Sequence, residues 1–180
     1  GGCPYRPGEN CISHSVSGQC AEPDPADQDL FLSLRWTASG ADMDLHLLAP
    51  GGTWKDGAAG NPQYYTCPTS TGTAGYYANA CPDWGEQGAF LDDPQLDLDN
   101  VAGGPDAEER ISLTRATASS TYDVYVYFFP SSGGSPSNVS VEITVSVDGG
   151  ARQQTFEAVM PAAQSRWKPC SVTFGAGSGS

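Results

Sequence analysis

The chain has 180 residues, and 8 Lys plus Arg against 21 Asp plus Glu leave a formal net charge of −13. Such an acidic surplus repels nucleic-acid phosphates and anionic lipid and favours cations or basic partners, so nucleic-acid binding is not expected. The length suits one domain with a full core. Few lysines, abundant Gly, Ser, Pro and Tyr, and six Cys without a Cys-x-x-Cys pair describe a secreted, disulfide-bearing protein outside the cytoplasm. No apolar run approaches the length needed to cross a bilayer, and with no basic, apolar leader, any signal peptide is expected to have been removed.

In chain order, residues 1–28 hold Cys3, Cys11 and Cys20 among Pro, Gly, Asn and Ser, with little apolar periodicity; they read as a cystine-rich N-terminal arm. From Asp29 the pattern changes. Leu30, Leu32, Leu34 and Trp36 alternate with Phe31, Ser33 and Arg35, the two-residue period of a half-buried strand. The same period runs through Asp42-Met43-Asp44-Leu45-His46-Leu47, through Gln95-Leu96-Asp97-Leu98-Asp99, along 122–129, and most regularly at Val139, Val141, Ile143, Val145 and Val147. Shorter strands are expected at Ile111 and Leu113, around Phe156, and at Val172 and Phe174. Helical periodicity is absent. The fold class expected is all-β, a two-sheet antiparallel β-sandwich over residues 29–174, with a barrel as the lesser alternative. Residues 175–180 read as a Gly/Ser linker or an engineered scar.

Between Gly51 and Leu91 lies a long irregular insert, and compact domains rarely carry one without a use for it. Cys67 and Cys81 bracket thirteen of its residues, and a bridge between them would contribute about 3 kcal/mol by chain entropy. Cys170 is then expected to reach one of the arm cysteines. Tyr64, Tyr65, Tyr76, Tyr77 and Trp84 crowd this insert and offer flat amphipathic surface to a protein or glycan ligand; the alternative is a small satellite core on the sandwich edge. Asn138-Val139-Ser140 is a glycosylation sequon.

The two Asp-x-Asp pairs carry the chemistry. On strands, Asp42 and Asp44 share one face while Met43, Leu45 and Leu47 share the other, and Asp97 and Asp99 alternate in the same way with Leu96 and Leu98. Should the strand ends meet, convergent carboxylates would raise one another's pKa unless a cation sat among them. Calcium, which takes six to eight oxygens, is the expected ion, with the acidic run Pro105–Glu109 nearby. Zinc is the poorer choice because His46 has only His14 as a companion in the chain. A two-carboxylate hydrolase is the rival reading, but solvent-facing Asp residues lack the apolar pocket that such an acid needs.

The run Leu34-x-Trp36, Ala41-Asp42-x-Asp44-Leu45-His46-Leu47, Pro50-Gly51-Gly52, with the later Leu96-Asp97-Leu98-Asp99 and Gly103-Gly104-Pro105-Asp106-x-Glu108, resembles the YfaP-like family of secreted bacterial β-sandwich modules. The resemblance covers about residues 30–148. It implies a sandwich with an Asp-rich edge formed by Asp42, Asp44, Asp97 and Asp99, with Glu108 or Glu109 after the Gly-Pro turn, in extracellular or surface proteins without an assigned reaction. The insert and the arm depart from that pattern. The function expected is an extracellular, calcium-stabilised, non-enzymatic module for adhesion, ligand binding or assembly of a surface structure, with a homopolymer as one form; a carbohydrate-binding accessory module or metal-dependent hydrolase is the alternative.

Overall fold

The computed structural model describes residues 24–52, 84, 91–98, 100–131 and 133–176. After a single 3-10 turn at Pro25–Asp27 come eight strands: β1 (Leu30–Trp36), β2 (Asp42–Leu48), β3 (Gln95–Leu98), β4 (Ala107–Leu113), β5 (Thr121–Phe129), β6 (Val139–Val147), β7 (Arg152–Met160) and β8 (Arg166–Thr173). They form a five-stranded sheet in the order β3-β4-β1-β6-β7 and a three-stranded sheet in the order β2-β5-β8, with every pair antiparallel. The expected all-β class and two antiparallel sheets are therefore present. Among the described residues no helix is long and apolar enough to cross a membrane. The arm to residue 23, Cys67 and Cys81 lie outside the described residues, as do residues 177–180.

Alternation builds the core. Leu30, Leu32, Leu34 and Trp36 of β1 stand in register with Leu113, Ile111, Glu109 and Ala107 of β4 on one side and with Val147, Val145, Ile143 and Val141 of β6 on the other. Across from them, Met43, Leu45 and Leu47 of β2 and Tyr122, Val124, Val126 and Phe128 of β5 close the same buried cluster. Each fully buried Leu, Val or Phe contributes about 1.5–3 kcal/mol of transfer free energy, so the two inner faces dominate stability.

One corner is held by polar geometry instead. Trp36 Nε1 donates to the Ala41 carbonyl at 2.9 Å, fixing the β1–β2 turn. Against that turn lies the β3–β4 connection: Gly40 N donates to Ala102 O at 2.9 Å, and Asn100 Oδ1 accepts from Gly103 N at 2.9 Å. Gly103 has φ of +65°, and a Cβ there would sit 2.2 Å from the Ala38 carbonyl oxygen, so only glycine fits this approach.

Candidate cation-binding edge

This corner opens onto the lateral edge where β2 ends one sheet and β3 with β4 end the other. On β2 the outer positions Asp42, Asp44 and His46 face Phe129, Tyr127 and Tyr125 of β5 in register, as the period-2 pattern requires. His46 is 1% exposed and meets the Tyr127 ring edge-on at 6.3 Å. Tyr127 in turn packs edge-on against Phe129, whose ring is 46% exposed. The aromatic character of this outer face comes from β5, where the sequence reading placed no ligand-binding residue.

Glu109 occupies an inner position of β4, among core side chains, and is 1% exposed. A carboxylate there needs a donor, and its Oε2 accepts from the backbone N–H of Leu45 at 2.6 Å. This bond crosses from one sheet to the other and occupies a backbone donor that an edge strand would otherwise present to solvent.

Asp97 sits at an irregularity of β3, where the register with β4 slips between Leu96 and Leu98. Simple alternation would expose it, but the slip turns it toward β4 and leaves it 3% exposed. Its Oδ1 accepts from Ser112 Oγ at 3.0 Å, while Oδ2 is buried with no hydrogen-bond donor among the described residues. Burial pushes its carboxyl up to about 7, outweighing the Ser112 bond and the Arg110 charge that pull it down.

Beside it, Glu108 on the outer face of β4 is gripped by Arg110 at 2.7 Å, by Ser33 Oγ at 2.7 Å and by Arg35 at 3.4 Å. These bonds, with that of Arg110 foremost, hold its carboxyl at about 2. Glu108 therefore belongs to an ion-pair network that the acidic run alone did not reveal; the matching signal was an Arg at the outer-face period of both β1 and β4.

The anticipated donors thus lie around one edge but approach it differently: Asp42 and Asp44 from the outer face of β2, Glu109 from the interior, and Asp97 from the β3 irregularity beside Ser112. Asp99 lies outside the described residues. Among the described residues no three His, Cys, Asp or Glu side chains gather into a set that could hold a metal ion. Of the five aromatics expected to bind ligand, Tyr64, Tyr65, Tyr76 and Tyr77 lie outside the described residues. Trp84 stacks on the buried Tyr122 ring at 6.0 Å and 20° and packs against the core, with its backbone N–H on Asp93 at 2.5 Å. Cys170 is the one cysteine among the described residues; it is half-buried, records no disulfide, and burial raises its thiol pKa. Comparison with protein-family models, with curated proteins and with solved structures finds no match to this chain, so the YfaP-like likeness rests on the quoted motif residues alone.

Proposed function

We propose that the chain is an extracellular, non-catalytic β-sandwich module for adhesion or assembly whose β2–β3–β4 edge is stabilised by calcium. The observation that carries this reading is Asp97: a buried carboxyl whose Oδ2 meets no donor among the described residues is a group whose charged form gains most from a hard cation. Asn100 follows it three residues on, and the turn that Asn100 closes with Gly103 rests on the β1–β2 turn ahead of Asp42 through Gly40 N–H on Ala102 O. Calcium titration of the full chain by calorimetry, with melting curves in calcium and in EDTA at pH 7.5, tests it. Saturation at one hundred times Kd stabilises by about 2.7 kcal/mol, a rise of several degrees in Tm, and Asp97→Asn removes most of that rise. Absence of binding heat together with equal melting in calcium and EDTA rejects the calcium reading.

The carbohydrate-binding alternative is favoured by the outer-face row Tyr125, Tyr127 and Phe129 beside Asp42 and Asp44, since aromatic rings and carboxylates suit the two faces of a sugar. Retardation of the protein in gels cast with soluble polysaccharides is the result that would select it.

A further inference from the structure

Among the described residues the two sheets end in four edge strands, and three of them are protected. β3 has only four residues and a register slip. The Leu45 N–H of β2 is occupied by Glu109, and β8 contains Pro169 at an irregular stretch of its pairing with β5. Short length, bulges, proline and covered donors are the usual devices against unwanted pairing. β7 has none of them. Its nine residues, Arg-Gln-Gln-Thr-Phe-Glu-Ala-Val-Met, pair with β6 in nine consecutive steps without a slip, contain no Pro or Lys, and have no neighbouring strand on the other side among the described residues.

The surface beside this edge is shaped and charged. A groove of about 570 Å3 runs over the outer face of β1, β6 and β7, lined by Arg35, Thr37, Ser140, Glu142, Glu157 and Val159. That volume falls within the range of ligand sites. Glu142 and Glu157 stand directly opposite each other in the β6–β7 register, an arrangement of like charges that disfavours the fold. Arg35 is in register with Glu142 but bonds Glu108 on its other side, and neither Glu142 nor Glu157 forms an ion pair within the described residues. Two positions along the edge, Val159 is 57% exposed.

We propose that β7 accepts an extended segment of a partner polypeptide as a sixth strand, with a Lys or Arg of that segment lying over Glu157 and Glu142. Main-chain hydrogen bonds to the edge that β7 leaves unpaired among the described residues supply the attraction, and the alternating outer positions supply the choice: a basic side chain opposite Glu157 and an apolar one opposite Val159. Charge complementarity fixes the occupant's chemistry, since an acidic segment would bring a third negative charge into the row. This inference names a partner for the binding module but uses none of the residues of the calcium edge, so each can fail while the other stands.

The test uses the full chain and three fluorescein-labelled nonapeptides of alternating Thr and Val: one with a central Lys, one with a central Glu, and a copy of the Lys peptide with alternate amides N-methylated. Anisotropy at low salt is expected to show binding of the Lys peptide, about tenfold weaker binding of the Glu peptide, and none of the methylated one. E142Q/E157Q, at two exposed positions, should remove the difference between Lys and Glu peptides, and hydrogen exchange should show new protection at residues 153–159. Equal binding of all three peptides, protection elsewhere, or no binding of the Lys peptide at millimolar concentration overturns the proposal. Concentration-dependent dimerisation that protects β7 without peptide also overturns it, and makes a second copy the occupant.

Discussion

The two lateral sides of the molecule invert each other. Along β2, β3 and β4, polar groups are buried: His46 and Glu109 are each 1% exposed and Asp97 is 3% exposed, each held within packed structure. Along β7 and β8, apolar groups are half-open: Phe156, Ala158, Trp167, Cys170 and Val172 pack against the core without being covered by it. The three-stranded sheet is narrower than the five-stranded one, so Arg152–Thr155 of β7 stand exposed throughout. The first side spends hydrogen bonds to close; the second leaves backbone and apolar surface available. Buried polar groups and exposed apolar ones are the two departures from ordinary partitioning that mark function; the buried acids and His46 gather at the first edge, while exposed apolar side chains occur at both, Val101 and Phe129 at the first and Val159 at the second.

The sharpest way to break this contrast is at Glu109. Glu109→Ala leaves the Leu45 N–H unsatisfied and a cavity beside it, and urea unfolding should show a loss of about 3 kcal/mol; Glu109→Gln, which keeps an acceptor, should lose about half of that. A loss below about 0.5 kcal/mol would mean that the inter-sheet bond does not close this edge.

Asp97 gives the next effect, and it depends on pH. Its folded-state pKa of about 7 lies above the ordinary aspartate value of 3.8, so between these values the folded protein binds the extra proton. Stability in EDTA should therefore fall as pH rises from about 4 to 7 and level off above, by about 2–4 kcal/mol in total. Asp97→Asn should flatten that part of the profile. A wild-type profile unchanged by the substitution would place the titration elsewhere.

The opposite edge should hardly respond. Val159→Ser removes exposed apolar surface that touches little, and its expected effect on unfolding is within about 0.5 kcal/mol. A loss above about 1.5 kcal/mol would show that β7 is already covered, and the contrast between the sides would fail.

How far the sequence reveals these two edges follows from what each strand buries. β1, β5, β6 and the first half of β2 have one wetter and one dry face, so alternation locates them within a residue or two. The first half of β4 escaped, because inward-facing Glu109 breaks the apolar period and looks like part of an acidic turn. β7 was visible only at Phe156, since an edge strand exposed on both faces need not alternate, and in β8 Pro169 hid the segment Arg166–Lys168. For the candidate site, the Asp-x-Asp spacing fell on β2 and on β3. It could not disclose that a register slip buries Asp97 or that Glu109 serves a backbone N–H, because both are settled by contacts between sheets.

A last consequence follows from the position of β1 at the centre of the five-stranded sheet. Seven residues of β1 pair with β4 on one side and the same seven pair with β6 on the other. The chain just before it is laced to the β6–β7 hairpin by Asp148 N on Asp29 O and Gly149 N on Gln28 O. Tension applied ahead of β1 must shear both ladders at once, with all of their bonds loaded together. Tension applied after β8, which pairs on one side only, peels its bonds in succession. A pull between the two ends of the sandwich loads both equally, so β8, paired on one side among the described residues, is expected to release before β1, which is paired on both.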